Sequence, residues 1–172
     1  MTRDEEFEQL RPLMFAIAYR ILGSVAEAED AVEEAWQRFE SSPQEPKSVQ
    51  ALLSAVVTRV SIDALESERV QRERYAAAPR SLLTDPYADP ARSANLADSL
   101  SMAAMVLLEQ LSPAERAVFV LRDVFGAGFA EIATAVGRSE ADCRQLAVRA
   151  RRHMDGRSSR AEEASRPRSP RA

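Results

Sequence analysis

The sequence predicts an all-α protein made of two small helical domains joined by a flexible linker. Three observations lead there. Apolar residues recur at three- and four-residue spacing through most of the chain, which places them along one helix face. Ala, Leu, Glu and Arg are abundant, while the 172 residues include only five Gly and few β-branched runs, a composition that favours helix over sheet. Between two periodic blocks, residues 76–97 contain Pro79, Pro86 and Pro90 and no sustained periodicity, the mark of a linker and a domain boundary. The domains are expected at 1–75 and 98–154, with residues 155–172 a disordered polar tail that lacks any large apolar residue.

In the first block, Phe7, Leu10, Met14, Ile17, Ala18 and Ile21 define a helix from about Asp4 to Leu22, which Gly23 ends. Ser24, with Glu27 three residues on, caps the next, from about Val25 to Phe39. Its apolar face holds Ala28, Val32, Ala35, Trp36 and Phe39. The opposite face holds Glu27, Asp30, Glu33, Glu34, Gln37 and Arg38. Two prolines break the helix in the loop Ser41–Ser48. A third helix, about Val49 to Arg74, carries Leu52, Leu53, Val56, Val60, Ile62 and Leu65, and becomes highly charged after Asp63.

The second block includes a helical run through Leu100–Leu111. It is followed by a clean helix start: Ser112 as N-cap, Pro113 in first position, Glu115 in third. Ala117, Val118, Val120, Leu121 and Val124 form the buried side, and residues 125–128 a turn. From Phe129 to Arg152 the pattern is helix, Gly137 turn and second helix, with Ile132, Ala133 and Val136 as the stripe of the first. Ser139 and Asp142 form a capping-box-like start for the second. The pair fits a helix-turn-helix, a motif whose second helix enters the DNA major groove; the plain alternative is an αα-hairpin in a bundle.

One cysteine, Cys143, excludes an intrachain disulfide and a zinc-binding Cys cluster, and the lone His153 offers no obvious nucleophile–base pair. The composition implies no cofactor and no catalytic role. The N-terminus has no secretory signal, and no apolar run approaches the roughly 18 residues of a membrane span, so a cytoplasmic protein is expected. The net charge of −4 conceals an asymmetry. Residues 1–74 hold 9 basic and 15 acidic side chains; from Arg138 onward the count is 10 basic to 5 acidic. An acidic half suits docking on a protein and a basic end suits phosphate.

Taken together, FEQLRPLMFAIAYRILGSVAEAEDAVEEAWQRF resembles region 2 of bacterial sigma-70 factors of the extracytoplasmic-function (ECF) group. LEQLSPAERAVFVLRDVFGAGFAEIATAVGRSEADCRQLAVRARRHM resembles their region 4. LADSLSMAAMVLLEQLSPAERAVF resembles the subgroup with an added C-terminal polyketide-cyclase-like (SnoaL-like) domain. That extension is missing from this sequence, and the linker stretch YAAAPRSLLTDP and the acid-rich DALESERVQRER also depart from the subgroup's pattern.

The resemblance implies a sigma factor that binds core RNA polymerase, through its β′ and β subunits, and promoter DNA, with no membrane partner. It implies that Asp30, Glu33, Glu34 and Gln37 dock on a β′ coiled coil, where carboxylates set register and on-rate. It implies that the loop captures a base flipped from the −10 element, through Ser41, Ser42, Gln44 and Lys47. Arg59, Arg69 and Arg72 on the third helix are candidate −10 contacts, although ion pairs with Glu66, Glu68 and Glu73 read equally well. At the −35 element, Glu140, Ala141, Arg144 and Gln145 are base-edge candidates; Arg138, Arg149, Arg151 and Arg152 are phosphate candidates. The other functional reading is an autonomous helix-turn-helix regulator with a helical N-terminal sensing domain. The sequence names no promoter consensus, stimulus or anti-sigma factor.

Overall fold

A computed structural model describes residues 2–43, 46–75 and 102–165, and every regular element among them is helical. Helix α1 (Arg3–Leu22) starts at a full capping box. The Thr2 hydroxyl accepts from the Glu5 N–H at 3.2 Å, and the Thr2 N–H donates to the Glu5 carboxylate at 3.1 Å. Gly23 ends it in the left-handed region, φ 76°. Helix α2 (Val25–Ser41) is capped by Ser24, which accepts from the Glu27 N–H. Ser48 does the same for α3 (Val49–Tyr75), accepting from Ala51 at 3.2 Å. Each cap satisfies an N–H that the helix itself leaves without a partner.

These three helices bury Phe7, Met14, Ile17, Ile21, Val32, Phe39, Leu53 and Val57. Trp36 is half-buried at the edge, 4.7 Å from the Phe7 ring centroid. Thr58 and Ser61 are buried in the same seam, and each donates its hydroxyl to the carbonyl four residues back, at 2.7 Å. That local bond lets a polar side chain sit among apolar ones.

The second block has α4 (Met102–Leu108), α5 (Pro113–Phe119) running into a π turn (Val120–Val124), α6 (Phe129–Val136) and α7 (Glu140–Ser165). Ser112 caps α5 as its sequence signature predicts. Met105, Leu108, Val118, Leu121, Ile132, Cys143, Leu146 and Ala150 form the interior.

Two expectations require correction. The tail does not lose helical form at residue 155, because α7 continues to Ser165. Extending an existing helix fixes one residue per hydrogen bond and needs no apolar face, so lack of large apolar residues was the wrong criterion. Two domains on a flexible linker also imply few mutual contacts. Instead α3 packs on α5 and α6, and the buried residues of both blocks form one continuous cluster. The proposed linker, residues 76–97, lies outside the described residues.

Two arginines join the blocks, each capping a helix end in the other block. Arg59 of α3 donates from Nη1 to the Val136 carbonyl, the last of α6, at 3.0 Å. Arg116 of α5 is buried and donates from Nη1 to the Ile21 carbonyl near the end of α1, and from Nε to Leu108 O at 2.8 Å. The last carbonyls of a helix lack intrahelical donors and carry the negative end of its dipole, so a guanidinium suits them.

Candidate nucleic-acid interface

Glycine at 137 sets the angle between the two helices of the helix-turn-helix. It is the C-cap of α6, at φ 76° and ψ 34°, and its N–H donates to Ala133 O at 2.8 Å. The Ser139 hydroxyl then accepts from the Asp142 N–H at 3.1 Å and opens α7. Cys143, Leu146, Ala150 and Met154 face inward from α7. Burial pushes the Cys143 thiol up, which keeps it protonated and makes it a small apolar core residue.

The outward face of α7 assembles the expected −35 residues. Glu140, Ala141, Arg144, Gln145, Arg149, Arg151 and Arg152 are all exposed, and so is Arg138 in the turn. Arg151 lies 3.6 Å from Asp123 of the π turn, an exposed pair that orients it more than it stabilises the fold. Arg144 stands over the Phe129 ring, 5.3 Å from its centroid. Arg122, which sequence reasoning missed, stands over the same ring at 4.6 Å. Its only sequence signal is a charge in the otherwise apolar run before the turn, which does not distinguish a functional arginine from a solvated one.

The acidic candidates also share one surface. Asp30, Glu33, Glu34 and Gln37 are exposed on α2, opposite buried Ala28, Ala31, Val32 and Ala35. Glu34 is engaged by Arg38 at 2.7 Å, and Arg38 also approaches Asp63 at 3.9 Å.

The residues proposed for −10 DNA are less uniformly available. Arg59 is occupied by Val136 O in this packed arrangement and does not present a free guanidinium. Arg72 pairs with Glu68 at 2.8 Å, the ion-pair alternative. The Ser41 hydroxyl donates to Gln37 O at 2.8 Å, within its own helix end. Ser42 is half-buried and its carbonyl accepts from Arg3 Nη1 at 2.9 Å. Lys47 is exposed, whereas Gln44 lies outside the described residues. Arg69 is exposed and lines, with Arg72 and Arg116, a cavity of about 370 Å³ between the blocks. No helix among the described residues is long and apolar enough to cross a membrane.

Gly137→Ala is expected to act on this junction. A Cβ there would lie 2.1 Å from Arg59 Nη2, so the guanidinium must leave Val136 O. That shift is cheap for a flexible side-chain end. The positive φ is not, and adds about 1–2 kcal/mol. Chemical denaturation should show a loss of about that size. In Arg59→Ala the steric part disappears while the backbone strain remains.

Two family models match the chain: Sigma-70 region 2 over residues 7–70 and Sigma-70, region 4 over residues 101–154. The ECF RNA polymerase sigma factor SigJ of Mycobacterium tuberculosis is 44% identical over 150 residues, covering 86% of this chain and 48% of SigJ. The probable ECF RNA polymerase sigma factor SigI of the same species is 36% identical, covering 84% and 51%. The chain thus spans about half the length of these relatives. The SigJ crystal structure superposes with TM-score 0.64 at 38% identity, over 88% of this chain and 52% of that one. The sigma factor RpoE of Bartonella quintana, solved with the anti-sigma factor NepR, superposes with TM-score 0.63 over 89% and 94%; at 15% identity it attests the fold alone.

Proposed function

This chain belongs to the sigma-70 family, and we propose on that premise that it binds core RNA polymerase and directs promoter-specific initiation of transcription. The observation that carries the reading is the outward face of α7 with the turn before it, where Arg144, Arg149 and Arg152 of the helix and Arg138 of the turn are exposed with no carboxylate partner among the described residues. A row of uncompensated cations on the second helix of a helix-turn-helix suits the phosphates and base edges of the −35 element. The acidic α2 face, Asp30, Glu33, Glu34 and Gln37, docks on polymerase. The chain supplies specificity, polymerase supplies the chemistry, and both meet in the cytoplasm.

The packed arrangement must open to do this. Elements centred at −10 and −35 are about 25 base pairs apart, roughly 85 Å along B-DNA. A packed chain of this length is only about 40 Å across. The residues between α3 and α4 are numerous enough to span that separation when extended. Opening releases Arg59 from Val136 O, and with it a cation for −10 DNA.

A core-polymerase pulldown followed by transcription in vitro tests the reading. Asp30→Lys with Glu34→Lys should weaken polymerase association several-fold, most at low salt, and leave helicity unchanged. Unaltered polymerase affinity in a folded variant removes the docking face. Specific DNA binding without polymerase would favour the autonomous regulator instead.

On DNA, Arg144→Ala should lose about 1–3 kcal/mol of discrimination at one −35 position. Arg149→Ala, a turn further from the helix start, should weaken all sequences alike and flatten the salt dependence. Both are measured with polymerase present on a −35 library. If Arg144→Ala lowers every sequence equally, Arg144 belongs with the phosphate contacts.

A further inference from the structure

We infer that Phe129 is a positioning residue for promoter reading: its ring seats the guanidinium groups of Arg144 and Arg122 and aims both at DNA. The inference rests on the DNA-binding role of α7 proposed above. Three elements converge on one side chain. Phe129 opens α6, Arg144 comes from the second turn of α7, and Arg122 comes from the π turn. Their guanidinium carbons lie 5.3 and 4.6 Å from the ring centroid, within the reach of a cation–π contact. Phe129 is half-buried, so the ring is held by the fold while both arginines reach over its face. Arg122 is tied down further by donating from Nη1 to Ala127 O at 3.0 Å.

The electrostatics point outward. Both arginines are exposed and neither pairs with a carboxylate among the described residues, unlike Arg151, which has Asp123. Two like charges share one ring, with their guanidinium carbons no more than about 10 Å apart. The negative face of the ring offsets part of their repulsion, and a polyanion brought against them offsets the rest.

Seating also changes what each arginine can do. A free arginine loses rotamer freedom when it forms a directional contact, whereas a guanidinium already resting on a ring loses less. Arg149 and Arg152 meet no ring among the described residues and suit phosphates, where direction matters little. Arg144 near the start of α7 suits a bidentate base contact. Arg122 lies outside the recognition helix and suits the flanking backbone, adding a phosphate contact that the helix-turn-helix pattern does not contain.

The test uses the full chain with core polymerase on a −35 library. Phe129→Leu keeps an apolar side chain and removes the π face. It should lose preference at the position Arg144 reads by roughly fivefold to a hundredfold, as Arg144→Ala does. Combining the two should add little, because they remove one interaction. Phe129→Tyr should keep the preference. A second readout needs neither DNA nor substitution: the Nε–H resonances of Arg144 and Arg122 should be displaced by the ring current in the wild-type chain. Resonances at free-arginine positions, or a Phe129→Leu loss equal on every sequence, overturn the role of Phe129 and leave the DNA-binding reading intact. A wild-type chain with no −35 preference in the presence of polymerase overturns that reading, and this inference with it.

Discussion

Arg116→Ala should lower the free energy of unfolding by about 3 kcal/mol, measured by urea denaturation at neutral pH. Arg116 is 6% exposed and its guanidinium spans the two blocks. Removing it takes charged donors from Leu108 O and Ile21 O, which lie at two helix ends in the buried interface. Hydrogen bonds to charged groups contribute about 1.5–3 kcal/mol each. Leu108 O keeps the Leu111 N–H at 3.1 Å, so the added penalty for a buried carbonyl left without a donor falls on Ile21 O. Relief from desolvating the guanidinium offsets part of this, which keeps the expected loss near the middle of the range. Arg116→Met separates two causes. It restores most of the volume and none of the donors, so a loss similar to alanine's identifies the carbonyls as the source. Full recovery in methionine would show that Arg116 acts by filling space.

Ile132→Ala should cost about 2–5 kcal/mol and detach the recognition helix from its support. Ile132 is fully buried on α6, the helix that packs on both α7 and α3. Alanine removes most of the buried side chain and leaves a cavity that the neighbouring helices close only in part. The consequence reaches function because α7 packs against α6. Promoter binding should fall for all sequences together, without loss of preference at any one position. Ile132→Val should cost only about 0.5–1.5 kcal/mol and retain binding. A fully active, fully stable Ile132→Ala chain would show that α7 is held by its other contacts.

Local signals carried the sequence reading well where the physics is local. The caps at Ser24, Ser112 and Ser139 and the stops at Gly23 and Gly137 depend on residues within one helical turn, and each is present. The exposed α2 and α7 faces follow from helical periodicity in the same way. The tail is different: missing apolar residues predict disorder, while helix propagation asks only for compatible backbone neighbours, and α7 runs on to Ser165.

The amino-acid sequence by itself determined the all-α class, the order and ends of the helices, and the charge on each outward face. Only the tertiary structure decided which arginines bond distant helix ends and which rest on a ring or stand free toward solvent. Arg59 bonds a carbonyl 77 residues away and Arg116 one 95 residues away, whereas Arg144 and Arg122 meet on a ring contributed by a third element. A guanidinium suits a helix-terminal carbonyl, a carboxylate, an aromatic face and a phosphate alike. Its partner is therefore settled by which helix end or ring the packing brings within reach, a fact that no spacing along the chain contains.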